Sequence, residues 1–264
     1  MSTFRASILF LFCLYGTSCT ILKKPRGIDH HSHDYPEGQI LPAPYLEAVE
    51  DCKKNKNPEI RTLKAIKTNN PNLVWKKIKV EGREELRVLA VTWSSNASYF
   101  PKPGKSMEED YEVWVTLVPE VKNMAGLAKK QKMDVDLRLE QFLGLPPNSG
   151  HKYFVELWIR PEDLFRPAAD PEVNDHEAQY EFSEVRNYLS TSSEYRDWYI
   201  DSVKSRYYPE EGSLPYPWTR LGYTYDWNPK ANNIGASEYV IIKGSRIITN
   251  AVYTTEEYSE AVKK

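Results

Sequence analysis

Residues 238–249 read EYVIIKGSRIIT, and this stretch near the end of the chain decides much of the predicted fold. Glu238 to Ile242 and Arg246 to Thr249 are short runs rich in β-branched residues, which favour strands. Lys243-Gly244-Ser245 lies between the two runs and is typical of a turn. The pattern predicts a terminal β-hairpin.

Further strands and helices are predicted upstream from hydrophobic period and capping signals. The strands are Trp75 to Val80 and Leu86 to Trp93 about a turn at Glu81-Gly82-Arg83, then Tyr111 to Val118 and Tyr153 to Ile159. The helices are Tyr45 to Lys53, one after Pro119, one after Asp134, and one from the capping box Thr191-Ser192-Ser193-Glu194 to Tyr207. The order is not a regular βαβ alternation, so the sequence predicts an α+β fold: a single mixed domain with a mainly antiparallel sheet and a few packed helices.

The first eighteen residues have the three parts of a secretory signal. Arg5 is followed by an apolar run from Ile8 to Tyr15 and then by the small residues Gly16-Thr17-Ser18. The apolar run is about eight residues long, whereas a membrane-spanning helix needs roughly twenty. Residues 1–18 are therefore predicted to be a cleaved signal peptide.

Cys19 follows this signal directly, and Gly16-Thr17-Ser18-Cys19 resembles the lipobox of bacterial lipoproteins. The resemblance implies that Cys19 becomes the first mature residue, carries acyl chains such as palmitate, and anchors the protein to a membrane of the bacterial cell envelope. The lipobox usually has leucine where this chain has Gly16. The same spacing suits an ordinary signal peptidase, so the alternative is a periplasmic or secreted protein.

Residues 19–44 are rich in Pro, Gly and His and lack either hydrophobic period, which predicts a flexible tether before a domain at residues 45–264. Residues 29–34 read DHHSHD and hold three of the five histidines. We expect incidental metal affinity there and no fixed metal site, because no flanking structure sets the geometry. The sequence has neither a Gly-rich phosphate loop nor a paired-cysteine metal site, so no cofactor is expected.

The formal net charge of −2 excludes a general attraction to nucleic acid. Residues 53–87 are mostly basic and residues 162–184 mostly acidic, which predicts two solvated faces of opposite sign; the alternative is a basic patch that binds a partner. Of the three cysteines, Cys13 leaves with the signal. Cys52 is then a lone thiol if Cys19 is acylated, and otherwise the partner of Cys19 in one disulfide.

The candidate site is an aromatic segment at residues 216–227, which we predict to be a ligand-binding loop. Aromatic rings with polar tips serve wet binding surfaces as well as cores. The predicted ligand-binding residues are Arg166, Trp218, Tyr223, Tyr225, Asp226 and Trp227. The alternative is an aromatic plug at one end of the sheet, with Arg220 and Asp226 as a structural ion pair.

Residues 217–227 (PWTRLGYTYDW) and 235–241 (GASEYVI) resemble a group of bacterial exported proteins and lipoproteins to which no activity is assigned. The resemblance extends from about Tyr111 and implies bacterial origin and a single domain. Separately, Ser237-Glu238 before a strand and Lys243-Gly244-Ser245 resembles the terminal hairpin of ADP-ribosyltransferase folds. That resemblance implies that Glu238 orients a nicotinamide ribose, although the second acid of that family is absent two residues earlier.

Two functions follow from these patterns. The first is an envelope lipoprotein that acts as a binding or interaction module for an unknown small molecule, glycan or protein. The second is an enzyme in which Glu238 and Arg220 are catalytic, acting on a nucleotide in the manner of an ADP-ribosyltransferase or on a glycan. In the ADP-ribosyltransferase form, Arg166 or Arg220 holds a phosphate and Tyr223 or Tyr225 stacks on the nicotinamide. In the glycan form, Asp226 and Glu238 are the carboxylate pair of a glycosidase.

Overall fold

The structure is a computed structural model that describes residues 40–54, 59–182 and 192–260. The predicted signal peptide, Cys19, the histidines of the tether and Thr191 lie outside these residues. Within them the chain is a single α+β domain, as predicted, with a mostly antiparallel sheet. None of the helices in these three ranges is long and apolar enough to cross a membrane.

The helices are α1 Ala43–Lys53, α2 Glu120–Lys130, α3 Val135–Phe142, α4 Ser193–Tyr207 and α5 Thr255–Glu260. The first four confirm predicted helices, and α5 was not predicted. α1 includes Ala43 and Pro44, the last two residues of the predicted tether. Side-chain caps mark the starts of α3 and α4: Asp134 accepts a hydrogen bond from the Leu137 amide at 3.1 Å, and Ser192 accepts one from the Tyr195 amide at 3.1 Å.

The strands are β1 Glu59–Ile60, β2 Trp75–Val80, β3 Arg83–Ser94, β4 Ser106–Glu108, β5 Val113–Leu117, β6 Tyr153–Ile159, β7 Leu164–Phe165, β8 Ala178–Gln179, β9 Tyr223–Asp226, β10 Asn233–Ile241 and β11 Arg246–Thr254. The main sheet has the order β4-β11-β6-β3-β5-β10-β7, while β2 pairs with β3 and β9 with β10. The β2–β3 hairpin is confirmed, and its turn residues Glu81 and Gly82 have φ of 50° and 85°. β1 and β8 form a separate small sheet.

The predicted terminal hairpin is wrong. β10 and β11 do not pair, because β5, β3 and β6 lie between them in the sheet. β10 pairs with β5 instead, with Glu238 opposite Thr116. The four-residue connection is held by other parts of the chain: Ile242 donates to the Asp163 carbonyl at 2.9 Å and Gly244 to the Glu109 carbonyl at 2.7 Å.

This connection requires a curved sheet. Five peptide steps from Ile241 to Arg246 span at most about 18 Å, whereas four flat interstrand spacings already cover about 19 Å. The sheet must therefore curl until the end of β10 approaches the start of β11. Aliphatic side chains such as Val113, Leu157 and Ile247 fill its inner face.

The opposite, helix-covered face of the sheet packs against α2 to α5. Trp114 of β5 and Phe154 of β6 lie in the same buried cluster as Leu139 of α3 and Tyr199 of α4. Because side chains alternate along a strand, Glu238, directly opposite Thr116, also lies on this face. The fold thus places a carboxyl group beneath the helices.

Candidate functional site

The aromatic segment at residues 216–227 is part of the core and not an open loop. Trp218, Asp226 and Trp227 are 1%, 2% and 5% exposed, and residues 223–226 form β9. Trp227 packs edge-on against Tyr45 of α1 and donates to the Leu145 carbonyl at 2.8 Å. This placement agrees with the structural alternative for the segment and leaves these side chains little surface for a ligand.

The ion pair expected between Arg220 and Asp226 is absent from the described structure. Asp226 instead accepts two hydrogen bonds from Arg138 of α3, at 3.0 and 2.6 Å. Arg220 donates to the Cys52 carbonyl at 2.9 Å. Its guanidinium lies 4.8 Å from the centre of the Tyr180 ring. The prediction failed because α3, distant in sequence, packs beside β9 and supplies the arginine.

Arg166 is fully buried, and neighbouring parts of the chain hold its guanidinium in place. Its guanidinium donates to the Asp175 carboxylate at 2.8 Å and to the carbonyls of Asp175 and Glu177 at 2.9 and 2.6 Å. Gly222 has φ of +71°, and a Cβ there would overlap Cγ and Cδ of Arg166. These contacts tie Arg166 to neighbouring backbone and leave it no access to a phosphate.

The two candidate stacking tyrosines are also held by the fold. Tyr223 is 7% exposed and packs with Leu63 and Leu221. Tyr225 donates from its hydroxyl to the Asp51 carboxylate of α1 at 3.0 Å. Neither tyrosine lines the cavity that adjoins Glu238.

Glu238 is a buried carboxyl without a hydrogen-bond partner among the described residues, whereas the other predicted carboxyl, Asp226, is paired with Arg138. Glu238 is 4% exposed, and its Oε2 has no partner among the described residues. Burial raises the pKa of this carboxyl from 4.5 to about 8, and the positive charge of Arg206 opposes the rise. Glu238 is therefore mostly a neutral carboxylic acid at pH 7, able to donate one hydrogen bond and to accept others.

A cavity of about 50 Å³ adjoins this carboxyl, and we call it the Glu238 cavity. Its polar lining includes Glu238, Thr116 and His151, and the indole of Trp114 forms part of the wall. Every lining residue is at most 9% exposed. At roughly 10–15 Å³ for each water, the space holds about four waters or one very small molecule.

Contacts with Ser149 and Trp93 help to fix His151 in this lining. Its Nδ1 lies 2.8 Å from the Ser149 hydroxyl, and its ring lies 5.3 Å from Trp93. The cavity therefore combines a neutral carboxyl, a hydroxyl and an imidazole. These groups can hydrogen-bond a polar molecule and are also the kinds that exchange protons.

Arg206 of α4 is the charged group that acts on Glu238, and the sequence reasoning missed it. Its guanidinium lies 4.4 Å from the Trp114 ring centre and 5.4 Å from that of Trp218. No carboxylate of the described residues lies within salt-bridge distance of it. A signal was available, because Arg206 lies seven residues after the aromatic Tyr199 and therefore on the same face of the predicted helix that ends at Tyr207.

Glu156 provides a comparison on the same face of the sheet. It is 3% exposed, so it is as deeply buried as Glu238. Lys122 lies 3.4 Å from its Oε1, and Asn250 donates to its Oε2 at 2.7 Å. The fold can therefore satisfy a buried glutamate on this face, and it does not do so at Glu238.

The predicted catalytic combinations are not assembled around this cavity. Neither Arg220 nor Asp226 lines it, and both are engaged elsewhere, with Cys52 and Arg138. Cys52 is a buried free thiol whose pKa is raised by burial. Within the described ranges, no group of three or more His, Cys, Asp or Glu side chains is placed to hold a metal ion.

Comparisons of this chain with protein-family models, with curated proteins and with solved structures found no match.

Proposed function

We propose that this chain is an exported bacterial envelope lipoprotein, anchored through Cys19, whose α+β domain binds a small polar ligand in the Glu238 cavity. The predicted signal peptide and the resemblance of residues 16–19 to a lipobox support export and anchoring to the cell envelope. The cavity supports the binding role, because its polar groups converge on a space large enough for a few non-hydrogen atoms.

The single observation that carries the binding role is the unpartnered carboxyl of Glu238. A buried polar group without a hydrogen bond costs about 1–3 kcal/mol of stability. Arg206 Nε and Trp218 Nε1 are likewise buried without partners in the described structure. Those two groups lie outside the lining of the cavity, whereas the unsatisfied carboxyl of Glu238 is part of it, which favours a site whose polar atoms are completed by a ligand.

The second candidate is an enzyme that uses Glu238 as an acid. The raised pKa of Glu238 and the imidazole of His151 in the same cavity favour it. In this version the positive charge of Arg206 acts on Glu238 from outside the cavity lining. The cavity is smaller than a nucleotide or a sugar ring, so either substrate requires its buried walls to move apart.

The binding role is tested by thermal unfolding in the presence of small polar probes. Acetate, acetamide, glycine, imidazole and glycerol are added at millimolar concentrations, and the midpoint Tm is followed by circular dichroism. We expect at least one probe to raise the Tm of the wild type and of a Glu156→Gln control, and to leave the Tm of Glu238→Leu unchanged. The proposal fails if no probe acts on the wild type, or if Glu238→Leu responds equally.

Glu238→Gln separates the two candidates, because glutamine keeps the size and hydrogen-bonding capacity of the side chain but cannot release a proton. A binding module retains its affinity for the active probe in this variant. An enzyme loses turnover of that compound while still binding it.

The lipid anchor is tested by the intact mass of the mature protein, compared between wild type and Cys19→Ser. We expect the wild type to be heavier by acyl chains and to sediment with membranes. An unmodified Cys19 in the wild type would reject the anchor.

A further inference from the structure

A second group of polar side chains surrounds Arg220, which does not line the Glu238 cavity. The Arg220 guanidinium lies 4.8 Å from the centre of the Tyr180 ring and 5.2 Å from that of Tyr207. Its Nη2 donates to the Cys52 carbonyl at 2.9 Å, whereas its Nε is buried and has no partner among the described residues. An Nε–H group can only donate, so the group that completes it must be an acceptor.

Arg220 also lacks the carboxylate that comparable arginines of this domain have. Arg138, which is half-buried like Arg220, bonds Asp226 at 2.6 Å, and the buried Arg166 bonds Asp175 at 2.8 Å. No acidic side chain of the described residues lies within salt-bridge distance of Arg220. Its positive charge is therefore not neutralised by a neighbour in the described structure.

Tyr199 of α4 supplies a second unpartnered donor near Arg220. It is 6% exposed, and its hydroxyl has no partner among the described residues. Burial raises the pKa of Tyr199 and of Tyr180 to about 12, and the positive charge of Arg220 opposes both rises. Both hydroxyls are therefore protonated at neutral pH and able to donate. Among the described residues, Arg220 is the only ionised group that acts on these two phenols.

The group around Arg220 has access to solvent. Arg220 and Tyr180 are half-buried, whereas Tyr199 and Cys52 behind them are buried. A small solute can therefore reach the guanidinium from the side of Tyr180.

The turn that carries Arg220 is rigid. The Thr219 hydroxyl accepts a hydrogen bond from the Leu221 amide at 3.2 Å and donates to the Tyr223 carbonyl at 2.5 Å. Arg220 lies between these bonds with φ of 59°, a left-handed conformation that residues other than glycine rarely adopt. The backbone therefore presents the guanidinium in one fixed direction.

We propose that a small oxyanion, a carboxylate or a phosphate, binds against Arg220 and accepts hydrogen bonds from its Nε and from the hydroxyls of Tyr180 and Tyr199. All three groups can donate, and one of them is positively charged. This combination matches a ligand that has several acceptor oxygens and a negative charge. Arg220 thereby has a binding role that is separate from Glu238.

The experiment is isothermal titration calorimetry of the mature protein with sodium phosphate and, separately, with sodium acetate, at neutral pH and constant ionic strength. We expect saturable binding of at least one of the two anions; phosphate alone identifies a phosphate site and acetate alone a carboxylate site. Arg220→Gln should weaken this binding by about tenfold or more, because it removes the charge and a hydrogen bond to the anion. Tyr199→Phe should weaken it severalfold, because it removes one donor.

Two variants serve as matched controls. Tyr258→Phe also removes a buried hydroxyl that has no partner among the described residues, but this ring stacks on Phe154. Arg246→Gln also removes an arginine, but this one bonds Glu81. Both variants should bind the anion as tightly as the wild type.

The proposal is overturned if neither anion binds the wild type, or if the anion binds Arg220→Gln and Tyr199→Phe as tightly as the wild type. A circular dichroism melt establishes that each variant is folded. If Arg220→Gln is unfolded, Tyr199→Phe decides alone, because it removes a single oxygen atom. Glu238→Leu should bind the anion normally. Loss of binding in Glu238→Leu would assign the anion to the Glu238 cavity, which overturns this site and leaves the proposed function standing.

Discussion

Glu238 and Glu156 lie on the same face of one sheet at nearly equal burial, and they differ in their partners. Glu156 is satisfied by Lys122 and Asn250, whereas Oε2 of Glu238 has no partner among the described residues. Burial therefore affects stability differently at the two positions, because hydrogen bonds offset the cost of desolvation at Glu156 and do not do so at Glu238.

This difference gives a prediction for stability. Glu238→Leu should raise the free energy of unfolding by about 1–3 kcal/mol, because it removes an unsatisfied polar group and adds apolar contact. Glu156→Leu should lower it by a similar amount, because Lys122 and Asn250 lose their partner. Urea unfolding of both variants measures the two values. A loss of stability in Glu238→Leu would indicate that this carboxyl is structurally satisfied.

Glu238 also predicts a pH dependence. Its pKa of about 8 in the folded protein lies above the ordinary 4.5, so the folded state holds a proton that the unfolded state releases. Stability should therefore fall as pH rises from 4.5 to 8, and Glu238→Gln should flatten that part of the curve. Chemical unfolding at a series of pH values checks this. Equal slopes in the wild type and the variant over this window would contradict it.

The sequence identified Glu238 as a candidate catalytic residue and combined it with Arg220. In the structure the arginine whose charge acts on Glu238 is Arg206. Ser237-Glu238 at the edge of an apolar run is a local signal, and it can be read along the chain. Arg206 reaches this region only because α4 packs on the sheet, and Arg220 faces Cys52 for the same kind of reason. Which polar groups meet in the core depends on tertiary packing, which no local period encodes.

At the scale of elements, the longer strands and helices α1 to α4 could be read from hydrophobic period and capping signals. The short strands, helix α5 and the pairing of β10 could not. EYVIIKGSRIIT has the composition of a hairpin, yet β10 pairs with β5, which precedes it by more than a hundred residues. The turn residues Lys243-Gly244-Ser245 are used instead to carry the chain across a curved sheet. Turn composition indicates where a strand ends and does not by itself identify the next neighbour.

Gly222, which precedes β9, gives a prediction at this scale. Gly222→Ala should be strongly destabilising, because the position has φ of +71° and a methyl group there would overlap the buried Arg166 side chain. Gly244→Ala is the matched control: it has φ of +86° and no atom within 4 Å of the added Cβ. Urea unfolding should give a loss of about 1 kcal/mol for the control and more for Gly222→Ala. Equal losses would mean that Arg166 moves aside without cost.

At the scale of the whole molecule, the α+β class follows from the irregular order of predicted strands and helices, and the structure agrees. The curvature of the sheet does not follow from that order. It arises from the short connection between two strands that lie four positions apart, and it creates one face for aliphatic packing and another for helices.

The N-terminal helix is an integral part of this domain although it follows the predicted tether directly. Tyr45, Ala48 and Val49 of α1 are buried against Trp227. A chain that begins at Ile40 should keep the Tm of the mature protein. A chain that begins at Glu59 should have a lower Tm, because it loses several kcal/mol of unfolding free energy, at roughly 1.5–3 kcal/mol for each large buried side chain. Calorimetry of the two truncated chains measures the difference. Equal Tm values would show that α1 is dispensable.

Trp114 lines the Glu238 cavity on one side and carries the Arg206 guanidinium close to its ring, with Trp198 and Trp218 within 6.4 Å and 6.1 Å. Indole emission depends on the charge and polarity around the ring. A molecule that enters the cavity, or a proton that leaves Glu238, therefore changes the light emitted by this group of three indoles. Intrinsic tryptophan fluorescence should therefore report binding in the Glu238 cavity without an added label.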